Sequence, residues 1–266
     1  MILSLNLLII NSKYLSEKVL YKSEMKSELL MQQIFKRQEI DLEDCQVRVS
    51  ISEVEDGDMR DPINKHSLFN RLDIDPGRVV EMQTNHDGRV VVVDNNSPDF
   101  VYDADALITT RDSAKILFVK TADCFPVVIS SHTDGVYALI HAGWQELQKD
   151  VVSNTVRKVR ELVAHPKDLK AFVGPGIDVE SYEIQKDVAR LDWPEGAVKK
   201  DGSGILKLDL FTVIKHQLIA SEIRSWNIEK DGRSTYKDLN LFSHRRSTVM
   251  KDRASDGRMG ILIGSY

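Results

Sequence analysis

Residues 120–144, KTADCFPVVISSHTDGVYALIHAGW, constrain the fold of this chain more than any other stretch. Two apolar runs, residues 127–129 and 136–140, flank a turn at Thr133, Asp134 and Gly135. Short apolar runs joined by a glycine-containing turn read as a hairpin or a pair of adjacent strands. Cys124 stands in a polar turn just before the first run, and His141 ends the second. A thiol and an imidazole are thereby expected on the same edge of a sheet.

The rest of the chain supplies strands and helices around that pair. Residues 46–52 (QVRVSIS) alternate polar and apolar, the pattern of a strand with one buried face. Residues 64–72 form a short helix closed by Asp75, Pro76 and Gly77. Residues 79–82 and 89–93 read as strands around an Asp87-Gly88 turn, which puts His86 beside a strand end. Residues 95–103 read as a loop, residues 106–109 and 116–119 as further strands. The period then changes: Val151, Val152, Thr155, Val156, Val159, Leu162 and Val163 recur at helical spacing. A strand over 169–173 ends in Gly174-Pro175-Gly176, residues 182–191 read as helical, and residues 194–204 form a polar loop. Residues 208–226 carry a second helical register, and residues 259–263 a final strand. One α/β domain over residues 46–266 is the simplest account. Residues 1–45 form a charged, helix-compatible N-terminal arm or peripheral helix. Its apolar start lacks a basic n-region and a small-residue cleavage site, so it does not read as a signal peptide, and Met25 offers a second start.

Composition removes several classes. A net charge of −5 gives no support to a nucleic-acid role, which would favour a basic face. No run reaches the length of a membrane span. Two distant cysteines, Cys45 and Cys124, argue for a reducing, cytoplasmic setting over a disulfide scaffold. Cys45 has no histidine near it and reads as structural.

Cys124, His141 and His86 are the candidate catalytic and metal-binding set. Two imidazoles and a thiolate give zinc three ligands and leave its fourth tetrahedral position open. Without metal, the same residues could serve as a thiol nucleophile and its base. The plain alternatives are a small buried cysteine and hydrogen-bonded core histidines. Asp123 could orient a histidine or cap a turn. Gly174 could let a ligand approach the backbone or simply turn the chain. Arg245 and Arg246, beside His244 and Arg258, could hold an anion or form a solvated face.

The motifs TADCFPV (121–127) and HAGW (141–144), with ADALITT (104–110), GPGI (174–177), Tyr182-Glu183-Ile184, SHRR (243–246) and GRMGILI (257–263), resemble the YfiH family. It is also called the laccase-domain or multicopper polyphenol oxidase family. The resemblance covers roughly residues 46–266. It implies a layered α/β sandwich of mixed sheets flanked by helices, related to cysteine-hydrolase-like folds. It also implies zinc held by His86, Cys124 and His141, and action on purine nucleosides: phosphorolysis of adenosine, inosine or methylthioadenosine, or deamination of adenosine. Older descriptions of the family imply copper and polyphenol oxidation, and seven histidines are few for a multicopper site.

Three departures stand out. Gln145-Glu146 follows HAGW where the family has Arg-Gly, which removes an anion contact and adds a negative charge. Gln83 precedes His86 by three positions where the family has one intervening residue, and residues 251–256 are longer than the family's link. The expected function is therefore a zinc-dependent purine nucleoside enzyme, with phosphate as the cosubstrate in question. The alternatives are a metal-free Cys124–His141 hydrolase acting on a peptidoglycan precursor, and a non-catalytic ligand-binding member. The oligomeric state stays open.

Overall fold

The structure, a computed structural model, describes residues 39–42 and 47–266. The chain divides after Ile40, and the unit from Asp41 to Tyr266 holds the fold described below. Except for a strand β1 (Glu39–Leu42), the N-terminal arm expected over residues 1–45, with Cys45, lies outside the described residues.

The first sheet is built from β2 (Val47–Ile51), β3 (Val79–Gln83), β5 (Phe100–Tyr102), β7 (Ile116–Thr121) and β14 (Met259–Gly264). These lie in the order β2-β14-β7-β3-β5. β14 runs antiparallel to both β2 and β7, whereas β3 runs parallel to β7 and β5. The second sheet contains β4 (Val90–Val92), β6 (Ala106–Thr110), β8 (Phe125–Ser131), β9 (Val136–Ala142), β10 (Lys170–Val173) and β13 (Ile228–Lys230). Its order is β13-β10-β8-β9-β6-β4, with parallel pairs at its two edges. A small hairpin, β11 (Val198–Lys200) with β12 (Leu206–Leu208), stands apart.

β7 of the first sheet packs against β8 and β9 of the second. Every residue of β8 and β9 is therefore buried, which explains their unbroken apolar runs: neither face meets water. Tyr137 crosses the layer and its hydroxyl donates to the carbonyl of Lys115. The outer face of the second sheet is covered by α3 (Val151–Arg160) and α5 (Leu210–Ala220), whose Val152, Val156, Val213 and Ile214 join Val127, Ile129, Ala138 and Ile140 in one cluster. The first sheet is covered by α1 (Pro62–Arg71), where Leu68 and Phe69 meet Ile116, Phe118 and Leu262. Two of these helices, α1 and α5, start at an aspartate cap: Asp61 accepts from Ile63 N at 2.8 Å and Asp209 from Thr212 N at 3.1 Å. The result is the layered α/β sandwich of mixed sheets expected from the sequence.

Local differences have local causes. The loop expected over 95–103 contains β5, and the polar loop over 194–204 contains β11; both are three-residue strands held by their partners and carry little pattern of their own. The helix expected over 182–191 is one short turn, α4 (Lys186–Ala189). The polar SHRR segment opens a helix, α6 (His244–Met250), capped by Ser243, which accepts from Arg246 N at 3.1 Å.

Candidate metal centre

The pairing of β8 with β9 sets Phe125 opposite Ala142 and Pro126 opposite His141. Cys124 and His141 therefore lie at the same end of two central strands of the second sheet. α2 (Trp144–Leu147) begins immediately after this end, with Gly143 as its N-cap.

His86 reaches the same place from the connection between β3 and β4. Its backbone is in the left-handed region, φ 67°, where a β-carbon is disfavoured. Asp105 at the start of β6 holds that shape: its carboxylate accepts from His86 N at 3.1 Å, Asp87 N at 2.8 Å and Gly88 N at 2.8 Å. The carbonyl of Asp105 accepts from His141 N at 2.8 Å. One fully buried residue thus fixes both histidines. Lys149 donates to the His86 carbonyl at 2.9 Å from the rim.

The two imidazoles face each other with centroids 5.6 Å apart and planes tilted by 47°. Between them lies Glu146. Its Oε1 is 2.8 Å from His86 Nδ1 and is also hydrogen-bonded to His141 Nδ1. The Glu146 side chain is 1% exposed and that of His141 6%, whereas His86 is 47% exposed, so the set opens to solvent on the His86 side. Burial alone would push Glu146 up, but the hydrogen bond and charge of His141, then His86, bring its carboxyl down to about 2. Burial would pull His141 down, yet Cys124 and Glu146 hold it well above its ordinary value.

Gly143 separates the thiol from the carboxylate. A β-carbon there would stand 2.7 Å from Cys124 Sγ and 2.8 Å from Glu146 Oε2, so only glycine fits between them. Asp123, at φ 88°, presents the thiol from a clamped turn: Oδ1 accepts from Thr235 Oγ1 and Oδ2 from Arg245 N, both at 2.7 Å.

The remaining sequence candidates separate. Arg246 is buried and gives its guanidinium to the carbonyls of Thr235, Tyr236, Asp238 and Leu241 and to Ser255 Oγ, so it ties the C-terminal segment together. Arg245 is half-buried, lies 4.9 Å over the Tyr182 ring and donates to the Glu183 carbonyl at 2.9 Å. Burial and the charge of Cys124 push the Tyr182 hydroxyl up. Gly174 packs on β8, where a β-carbon would meet Pro126 Cγ at 2.7 Å, and its N–H donates to the Pro126 carbonyl at 2.9 Å.

Asp105 and Glu146 are the residues of this site that sequence reasoning did not assign. Glu146 was visible only as an added charge after HAGW. Asp105 sat inside the ADALITT motif, where an acid at the head of an apolar strand was the signal.

One nitrogen from each of His86 and His141 and one oxygen from each of Asp105 and Glu146 lie within 4.8 Å of one another. Cys124, on the same end of the sheet, is not among these four; imidazoles with carboxylates at this density are donor chemistry that suits a zinc-type ion.

Residues 51–265 match the family described as multi-copper polyphenol oxidoreductase laccase. A purine nucleoside phosphorylase of Corynebacterium glutamicum is 32% identical over 188 residues, 69% of this chain and 75% of that protein. One of Deinococcus radiodurans is 38% identical over 177 residues, 66% of each chain. Among solved structures, YfiH of Bacillus licheniformis superposes with a TM-score of 0.72 at 22% identity, covering 83% of this chain and 93% of that one. YlmD of Geobacillus stearothermophilus does so with a TM-score of 0.69 at 25% identity, covering 82% and 92%.

Proposed function

The chain belongs to the multi-copper polyphenol oxidoreductase laccase family, and from that premise we propose that it is a zinc-dependent enzyme of purine nucleosides. Residues 46–266 would form its catalytic domain. The observation that carries the reading is the clustering of donor atoms of His86, Asp105, His141 and Glu146 within 4.8 Å of one another, at the end of the β8–β9 pair that also presents Cys124. Relatives named purine nucleoside phosphorylase, at 32% and 38% identity, support the substrate class.

His86, Cys124 and His141 would hold the ion, whose chemistry when bound is that of a Lewis acid able to lower the pKa of water. Asp105 and Asp123 hold the histidine and thiol connections in place before substrate arrives. Tyr182 offers an aromatic ring, and Arg245, stacked on it, would be the anion or ribose contact at the rim. The substrates would be a nucleoside with phosphate, for phosphorolysis, or adenosine with water, for deamination. No helix among the described residues is long and apolar enough to cross a membrane, and we place the enzyme in the cytoplasm.

The test is a panel of adenosine, inosine and methylthioadenosine, with and without phosphate and chelator, resolved by chromatography alongside elemental analysis. Turnover should need the metal and vanish in Cys124→Ala. Undiminished turnover in that variant ends the reading. A metal-free thiol hydrolase would instead show Cys124 trapped by an electrophile in protein that contains no zinc.

A further inference from the structure

We infer that Glu146 is itself a donor of the metal centre, beside His86 and His141, and that its charge closes the centre against inorganic phosphate. The inference rests on the metal reading above and adds a residue and a consequence to it.

Three observations carry it. First, a single oxygen, Glu146 Oε1, is hydrogen-bonded to the Nδ1 atoms of both histidines. Donors about 2.0–2.3 Å from a tetrahedral ion stand within about 4 Å of each other. An ion reached through those two nitrogens is therefore within reach of Oε1.

Second, donor atoms of His86, Asp105, His141 and Glu146 all lie within 4.8 Å of one another. A carboxylate that only oriented one histidine from behind would have no reason to bridge both imidazoles.

Third, the group is buried at 1% exposure, and its ion-pair partners among the described residues are His86 and His141 alone. A buried carboxylate is costly unless it is paired or coordinates a metal. Lys149, at the rim, spends its ammonium on the His86 carbonyl.

The consequence concerns the cosubstrate. Phosphate approaching this site would meet the fixed negative charge of Glu146 and a donor set already supplied by protein. Water is neutral and small enough to enter as a fifth ligand, an expansion that zinc sites allow. Phosphate is accordingly excluded from the ion.

The experiment loads the full chain with cobalt(II), whose visible absorption reports its ligands, and titrates inorganic phosphate. Metal affinity is measured in parallel by chelator competition. The wild-type spectrum should not change with millimolar phosphate. Glu146→Gln should bind cobalt at least about tenfold more weakly, a loss on the scale of removing a group that supports a metal site, and its spectrum should respond to phosphate. Glu146→Asp keeps the charge but withdraws the oxygens by one methylene, and should fall between the two; it serves if the glutamine variant does not fold. Unchanged affinity in the variants, or a wild-type spectrum that shifts with phosphate, overturns the inference while leaving the metal reading intact. A wild-type chain that takes up no cobalt overturns both.

Discussion

The Asp105 carboxylate accepts a hydrogen bond from His86 N at 3.1 Å across 19 residues of sequence, while the Asp105 carbonyl accepts from His141 N at 2.8 Å. The distance between the two histidines is thus set by a residue that need not touch a ligand. Asp105→Ala should strand three backbone N–H groups and cost about 1–3 kcal/mol. Hydrogen exchange should show residues 86–88 losing protection, and metal retention should fall. Asp105→Asn, which keeps one acceptor oxygen, should recover part of both. Full protection of residues 86–88 in the alanine variant would contradict the role.

The metal-free protein should show a stability plateau bounded on both sides by the Glu146–His141 pair. Glu146 is depressed from 4.5 to about 2, so its contribution is present above pH 4.5 and is lost as pH falls toward 2. His141 is raised above 6.5, so its contribution is full below pH 6.5 and is lost as pH climbs through the raised value. The plateau therefore lies between about pH 4.5 and 6.5. Thermal unfolding of chelator-treated protein across pH measures it, and Glu146→Gln should flatten the acid side. Parallel profiles for the two proteins would count against the pair.

Gly143→Ala should damage the site far more than the fold. The backbone there, φ −93° and ψ 179°, suits any residue. The cost is steric, since the new methyl would sit between the thiol and the carboxylate. A loss of about 1–3 kcal/mol is expected for such overpacking. Metal content should drop sharply, with an unchanged circular dichroism spectrum.

Neighbouring arginines should behave oppositely. Arg246→Ala removes a guanidinium that satisfies four carbonyls and should cost about 3 kcal/mol, roughly 10 °C in Tm. Arg245→Ala removes an exposed-side contact and a stack on Tyr182, and should leave Tm within about 2 °C. Its effect should appear in the KM for nucleoside. A collapse of the Arg245 variant would mean that the residue is structural.

Much of this architecture was legible in the sequence because it follows from periodicity. β8 and β9 announce themselves as apolar runs around a glycine turn, and α3 by valines at helical spacing. The strand end shared by Cys124 and His141 follows from the hairpin alone. What pattern could not reveal was contact between separated polar residues. Asp105 is one acid at a strand head until the fold brings the His86 connection to it. Glu146 is one charge in a short helix, and nothing local says that it turns inward. Arg245 and Arg246 are indistinguishable as a pair, and only α6 decides which one faces the core. The short strands β5, β11 and β13 form because partners exist for them, information that lies elsewhere in the chain.

The clamp on Asp123 also orders events in time. Its partners Thr235 and Arg245 lie 112 and 122 residues further on, and the left-handed turn they secure is costly for a non-glycine residue without them. During synthesis, Cys124 and His141 leave the ribosome long before either partner. The nascent chain then carries its thiol and imidazole on adjacent strands without the turn that aims them. An ion bound at this site would take its final geometry only after the C-terminal segment is complete. A chain ending before Thr235 would keep both side chains and lose the frame that aims them.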